Sequence, residues 1–139
     1  MVTFVLDTSA LLRYMDDEAG ADRVADILLA QTAGTARVVI SAVNWGEVTT
    51  ALLREHGLSG VDAAQAGLSD LRLEVIPVTA LRAERSARIK FKYKIPYADA
   101  IGVELAGDSA DHILVTADFD MKPAVADYQI EFLPAKPKP

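Results

Sequence analysis

Short apolar segments that alternate with helical segments are the feature that most constrains the fold of this chain. The helical segments carry apolar residues at i, i+3 and i+4, as at Val24, Ile27 and Leu28. Because a continuously apolar strand is buried on both faces, the alternation predicts an α/β fold in which helices cover a mainly parallel sheet. The predicted strands, rich in β-branched and other apolar residues, are residues 2–6, 37–40, 73–78, 112–116 and 130–133.

A single domain is expected over residues 1–133, which carry this pattern without an internal repeat or a linker. Residues 134–139 read Pro-Ala-Lys-Pro-Lys-Pro and are expected to form a disordered tail. The absence of cysteine excludes a disulfide framework, Cys-ligated metal sites and thiol catalysis. All apolar runs are far shorter than the roughly 20 residues that span a bilayer. We therefore expect a cytoplasmic protein without membrane association.

The carboxyl ends of the predicted strands are where a ligand is expected, because open α/β sheets bind ligands in the crevice outside those ends. Asp7 follows the first strand directly, and Asp118 follows the fourth. Glu47 lies early in the helix after the second strand, beside its apolar stripe, and Asp99 lies in the first turn of the most apolar helix. These four acids are the candidate site.

Each acid also has a structural explanation. Asp7 and Asp118 could cap a helix or a turn, Glu47 could complete a capping box with Asn44 as the N-cap, and Asp99 could favour its helix dipole. Four carboxylates at one edge repel, however, since two charges about 4 Å apart cost on the order of 4 kcal/mol at an effective dielectric of about 20. A bound cation would offset this cost. Oxygen ligands without cysteine or nearby histidine favour Mg²⁺, or Mn²⁺ in its place, and such an ion suits phosphodiester hydrolysis.

Hydroxyl side chains accompany the acids at this edge. Thr8 and Ser9 follow Asp7, and Thr116 ends the fourth predicted strand. Capping explains Thr8 and Ser9, and strand packing explains Thr116, at least as well as a role in binding does.

The net charge of the chain is −6, and this negative sign argues against a protein that coats nucleic acid. Residues 82–94 nevertheless form a basic segment. Lysines at positions 90, 92 and 94 alternate with aromatic and aliphatic residues, which predicts an extended stretch with its cations on one side. Phosphate contacts and base stacking would suit single-stranded RNA, and a solvated helix end is an equal alternative. The candidate RNA-binding residues are Arg85, Arg88, Lys90, Lys92 and Lys94.

Four sequence blocks contain the candidate acids in a fixed order. They read Val-Leu-Asp-Thr-Ser-Ala-Leu at 5–11, Trp-Gly-Glu-Val at 45–48, Tyr-Ala-Asp-Ala at 97–100 and Leu-Val-Thr-Ala-Asp-Phe-Asp at 114–120. Their order and spacing resemble the PIN-domain family of metal-dependent ribonucleases, most of all the VapC toxins of type II toxin–antitoxin pairs.

The resemblance implies a three-layer α/β/α fold whose five-stranded parallel sheet has the order 3-2-1-4-5. It also implies Mg²⁺-dependent endonucleolytic cleavage of transfer, ribosomal or messenger RNA, a cognate antitoxin protein and a homodimer. Asp7, Glu47, Asp99 and Asp118 form the implied catalytic and metal-binding set, with Asp7 and Asp99 as direct ligands and with Asp120, Thr116 and Ser9 as auxiliary residues. The alternative is a non-catalytic RNA- or protein-binding module on the same fold.

Overall fold

Strands and helices alternate from the first residues of the chain to its end. The computed structural model describes residues 1–138, and Pro139 lies outside the described residues. In chain order the elements are β1 (Val2–Leu6), α1 (Thr8–Met15), α2 (Ala21–Thr32), β2 (Ala36–Ser41), α3 (Ala42–Ser69), β3 (Glu74–Ile76), α4 (Ala80–Tyr93), α5 (Tyr97–Ala106), β4 (His112–Thr116), a short 3₁₀ helix (Phe119–Ala124) and β5 (Ile130–Phe132).

The five strands form one sheet in the order β3-β2-β1-β4-β5. All four neighbouring pairs are parallel, and β1 in the centre aligns Leu6 with Ile40 of β2 and Val115 of β4. The carboxyl ends of β1, β2 and β4 therefore meet at one edge of the sheet. This confirms the predicted α/β fold and strand order.

Helices bury both faces of this sheet, which explains why the central strands are apolar at consecutive positions. Successive residues of a strand point to opposite faces. Leu6 and Ile40 pack with α1, α2 and α3 in one apolar cluster, whereas Val5 and Val39 pack with α4 and α5 in a second. The result is a three-layer α/β/α arrangement with one core on each side of the sheet.

Helix α3 begins three residues earlier than the sequence predicted. Ser41 is its N-cap, since the Ser41 hydroxyl accepts a hydrogen bond of 3.0 Å from the Asn44 backbone amide. The prediction of Asn44 as the N-cap, and of a capping box between Asn44 and Glu47, is therefore wrong. Gly57 takes a left-handed φ of 68° and kinks the helix without ending it.

Residues 90–93 continue α4, so the predicted extended stretch with its alternating lysines is wrong. The Thr79 hydroxyl caps the helix, and Ser86 and Ile89 are buried one turn apart on its inner face. This 3.6-residue periodicity places the lysines on different sides of the helix rather than along one edge. Lys94 adopts the left-handed conformation that ends α4.

The C-terminal segment after β5 contacts the loop that follows α1. The Arg13 guanidinium donates to the carbonyl oxygens of Ala19 and Pro134, at 2.6 and 2.8 Å. The Lys136 ammonium lies 2.6 Å from the Glu18 carboxylate. Disorder of residues 134–139 stays a prediction, and its last residue lies outside the described part. No helix within residues 1–138 is both long enough and apolar enough to cross a membrane.

Candidate metal centre

Asp7 follows β1 directly, as the N-cap of α1, and is almost completely buried, with 3% of its surface exposed. One carboxylate oxygen, Oδ1, caps α1 by accepting from the Ala10 amide at 2.9 Å and from the Ser9 hydroxyl at 2.7 Å. The other, Oδ2, accepts from the Thr116 hydroxyl at 2.5 Å. Burial raises the pKa of Asp7 to about 6, against the opposing effect of these hydrogen bonds and with a further increase from the Asp118 charge.

The hydroxyls of Ser9 and Thr116 connect the ends of β1 and β4. The Ser9 hydroxyl accepts from the Ala117 amide at 2.8 Å, and the Thr116 hydroxyl accepts from the Asp118 amide at 2.9 Å. The two hydroxyl oxygens are 3.2 Å apart. Both side chains therefore do more than cap or pack, because they fix the Asp7 carboxylate relative to the chain that carries Asp118.

Three acids from α5 and from the segment after β4 lie together at this edge. Carboxylate oxygens of Asp99, Asp118 and Asp120 are all within 4.8 Å of one another. The Asp118 carboxylate also accepts from the Asp120 amide at 2.9 Å, which caps the 3₁₀ helix. Asp120, predicted as an auxiliary acid, is thus a full member of the cluster.

Asp99 is the acid whose ionisation Asp118, Asp7 and Glu47 all influence. Its pKa is raised to about 7, first by burial and then by Asp118, with smaller contributions from the charges of Asp7 and Glu47. The structure therefore brings the four acids singled out in the sequence into one electrostatically connected group. Which of them bind a metal or act in catalysis stays a prediction.

Glu47 approaches this group from the second turn of α3. Its side chain is exposed, but its Oε1 accepts from the Thr8 hydroxyl at 2.5 Å and from the Asn44 side-chain amide at 3.1 Å. Two donors on one oxygen fix the direction of an otherwise flexible side chain. They connect Glu47 to the start of α1 and to the interior.

Asn44 is the site residue that the sequence analysis missed. It is 2% exposed, and its Nδ2 donates to Glu47 and, at 3.3 Å, to the carbonyl oxygen of Ala98, the residue before Asp99. The available sequence signal was a polar residue three positions before Glu47. That signal was assigned to helix capping, which Ser41 performs.

The donor set fits a divalent cation. In residues 1–138 three buried side-chain oxygen or nitrogen atoms lack a hydrogen-bond partner, and two of them are Asp99 Oδ2 and Asn44 Oδ1. Within the same residues, none of the ion pairs involves a clustered acid. A buried carboxylate oxygen without a donor or counter-charge is costly. An oxygen-binding cation such as Mg²⁺ or Mn²⁺ would remove that cost.

The predicted RNA-binding residues do not form one continuous strip. Arg85 and Arg88 line a depression with Glu104 and Asp108, at the end of α5 opposite to Asp99. Seven residues of helix separate Asp99 from Ala106, the last residue of α5, or roughly 10 Å. Lys92 pairs with Asp127 at 3.5 Å, and the Lys90 ammonium lies 3.5 Å from the Ile95 carbonyl oxygen. Lys92 also lines a depression with Gly107 and His112, beyond that same end of α5, although all three lysines shortly precede α5 in the sequence.

Comparison with known proteins identifies the family. The sequence profile of the PIN domain matches residues 4–125, which include all the clustered acids. The chain belongs to the PIN domain family. No curated protein sequence matches it significantly.

Solved structures of toxin–antitoxin proteins share the fold of this PIN domain protein over nearly its full length. VapBC2 from Rickettsia felis, bound to a DNA fragment from its promoter, has a TM-score of 0.70 and 15% identity and covers 94% of this chain and 98% of its own. A toxin–antitoxin complex from Klebsiella pneumoniae has a TM-score of 0.68 and 22% identity, and it covers 91% of this chain and 94% of its own. VapC20 from Mycobacterium tuberculosis, described as a sarcin-ricin loop cleaving toxin, has a TM-score of 0.65 and 19% identity. It covers 94% of this chain and 99% of its own. The family and fold expected from the four sequence blocks are confirmed.

Proposed function

We propose that this protein is a Mg²⁺-dependent endoribonuclease and the toxin of a type II toxin–antitoxin pair. The observation that carries the proposal is the cluster of Asp7, Glu47, Asp99, Asp118 and Asp120, which has no basic partner within residues 1–138. The fold shared with VapBC and VapC proteins, one of them described as a sarcin-ricin loop cleaving toxin, supports it.

The metal would be held by Asp99 and Asp118, with Asp7, Glu47 and Asp120 as further oxygen ligands. When bound, a Mg²⁺ or Mn²⁺ ion supplies a water of lowered pKa and charge stabilisation at the phosphate. Ser9 and Thr116 orient the Asp7 carboxylate, and Thr8 and Asn44 orient that of Glu47. These groups are therefore in place before the substrate arrives, which lowers the reorganisation needed for in-line attack of water on the phosphorus.

RNA would approach along the C-terminal part of α4. Lys90, Lys92 and Lys94 lie next to the segment that enters α5, and the Phe91 ring is 88% exposed and available for base stacking. Arg85 and Arg88 extend the same helix away from the acids and suit contacts with a longer substrate. Because these contacts are to phosphate, binding should weaken as the salt concentration rises.

A protein partner is part of the same proposal. Leu29 and Leu58 are 65% and 85% exposed, and apolar side chains of this size are suited to contact with another chain. VapBC relatives are toxin–antitoxin proteins, which supports a cognate antitoxin for this chain. We also propose a homodimer and a cytoplasmic location.

Cleavage of RNA by the purified protein, freed of any antitoxin, tests the activity. With Mg²⁺ or Mn²⁺ the wild type should cleave RNA, EDTA should stop cleavage, and Asp99→Asn should slow it at least 100-fold. Asp62→Asn, which neutralises an exposed acid of α3 instead, should cleave like the wild type. A wild type that cleaves no RNA with either ion would favour the non-catalytic binding module, and equal cleavage by Asp99→Asn would refute the assigned site.

A further inference from the structure

The side-chain amide of Asn44 joins the two helices that bring acids to the site. Asn44 lies in the first turn of α3, and its Nδ2 donates both to Glu47 Oε1, at 3.1 Å, and to the Ala98 carbonyl oxygen of α5, at 3.3 Å. Both partners are pure acceptors, so the amide orientation is determined. The reverse orientation would place Oδ1 against two oxygen atoms.

The contact positions both acids through a single group. Glu47 is exposed, and Asn44 is one of the two donors, with the Thr8 hydroxyl, that hold its Oε1. Ala98 immediately precedes Asp99 in the first turn of α5. Gly102, one turn further along α5, lies beside the amide. A Cβ at Gly102 would lie 3.5 Å from Asn44 Oδ1 and 3.9 Å from the Asp7 Cβ. Asn44 therefore lies between the ends of β1, α3 and α5.

A purely stabilising role does not account for the other end of the amide. Asn44 Oδ1 is buried and has no hydrogen-bond partner within residues 1–138. A buried carbonyl without a partner lowers stability, and polar side chains retained in a core only for stability are normally satisfied at both ends. The residue thus carries a stability cost while its donor end contacts only the groups that hold Glu47 and Asp99 in place.

We propose that Asn44 is a positioning residue of the metal centre, which fixes Glu47 and the Asp99 turn relative to each other. The inference rests on the proposed function, because it assumes that these acids bind a divalent cation. Outer groups that orient metal ligands typically change metal affinity by about 10- to 100-fold when they are removed. Loss of the Asn44 amide should have an effect of that size, separate from any effect on folding.

Calorimetric titration of the metal-free protein with Mn²⁺ tests whether Asn44 affects metal affinity. Asn44→Ala is compared with a matched control. Gln31 is that control, since its Nε2 donates to the Arg72 carbonyl oxygen at 2.6 Å and its Oε1 is likewise buried without a partner, but it contacts no clustered acid. Both Asn44→Ala and Gln31→Ala should lower the melting temperature in EDTA. Only Asn44→Ala should weaken Mn²⁺ binding, by about 10-fold or more.

The same titration in a Glu47→Ala background separates positioning from general loosening of the site. If Asn44 acts partly through Glu47, its substitution there should weaken Mn²⁺ binding by a smaller factor than in the wild type. Asn44→Ser serves if the alanine variant does not fold. Wild-type Mn²⁺ affinity in the Asn44 variants would overturn the inference, whereas a wild type that binds no Mn²⁺ would instead refute the proposed function.

Discussion

Replacing Asp99 with asparagine should stabilise the metal-free protein while abolishing metal binding. Asp99 is half-buried in the first turn of α5, and the charges of Asp118, Asp7 and Glu47 all oppose its ionisation. Asparagine keeps the shape of the side chain, removes the charge and can donate a hydrogen bond to the Asp118 carboxylate. The substitution therefore relieves repulsion that, in our proposal, a cation relieves in the active protein.

The size of the effect follows from the raised pKa. A rise in the pKa from 3.8 to about 7 lowers the free energy of unfolding of the wild type by roughly 4 kcal/mol above neutral pH. Because the carboxylate is only half-buried, solvent screening reduces this to about 2 kcal/mol. The lost interaction of the charge with the α5 dipole subtracts about 0.5 kcal/mol. The net gain of about 1.5 kcal/mol raises the melting temperature of a domain of this size by roughly 5 °C.

The pH dependence has a definite sign. The folded pKa of Asp99 exceeds that of the unfolded chain, so the folded protein binds more protons between about pH 4 and pH 7. The contribution of Asp99 to metal-free stability is therefore fully present below about pH 4, where it is protonated in both states, and is lost progressively as the pH rises to about 7. The variant should exceed the wild type fully at pH 8 and by about half as much at pH 5.5, where wild-type Asp99 is mostly neutral in the folded protein but ionised in the unfolded chain.

Thermal unfolding in EDTA at pH 5.5 and pH 8 measures the stability gain of the variant and its pH dependence. The same experiment at pH 8 with Mn²⁺ measures the effect of the metal. Mn²⁺ should stabilise the wild type by mass action and leave Asp99→Asn unchanged, so that a saturating metal concentration reverses their order. Asp62→Asn, an exposed acid of α3, should follow the wild type throughout. A variant that melts below the wild type in EDTA at pH 8 would show that Asp99 is a structural acid and would refute the reasoning.

Two further predictions concern the neighbours of Asp99. Asp7→Asn keeps the Oδ1 acceptor that caps α1 and should melt at or above the temperature of the wild type in EDTA at pH 8. Asp7→Ala loses that cap, and its free energy of unfolding in urea should fall by about 1 kcal/mol. A clear drop in the melting temperature of Asp7→Asn would contradict this. Gly102→Ala should raise the free energy of unfolding in urea by about 0.5–1 kcal/mol, because alanine favours a helix and its Cβ would meet neighbours no closer than 3.5 Å. A destabilised variant would mean that the contact with Asn44 cannot accommodate a methyl group.

The layers of the fold could be read from the sequence because consecutive apolar residues such as Val5 and Leu6 have to be buried on opposite faces. Strand order could not be obtained that way and came from the resemblance of four sequence blocks to a known family. The edge strands were predicted too long. β3 is an edge strand that pairs with β2 over Glu74–Ile76, and within residues 1–138 it has no second neighbour to extend its ladder.

Asn44 and the basic segment were misread for a common physical reason. A contact with Ala98, 54 residues away, determines what the Asn44 side chain does, and no local pattern reports it. In residues 90–94 the alternation of lysine with apolar residues matches a strand, yet burial of Ser86 and Ile89 against α5 selects the helix. Tertiary packing overrides local periodicity in short segments.

Capping and metal binding, which were competing explanations for each acid in the sequence, are compatible in the structure. The Asp120 amide donates to Oδ1 of Asp118, and Thr8 and Asn44 both donate to Oε1 of Glu47. In residues 1–138 neither Oδ2 of Asp118 nor Oε2 of Glu47 receives a hydrogen bond of this kind. One oxygen of each carboxylate thus holds the side chain in place, and the other stays available to a cation. A carboxylate oxygen that accepts such a hydrogen bond, in the cap at Asp118 or from Thr8 and Asn44 at Glu47, therefore does not argue against metal binding, because the second oxygen can still face a cation.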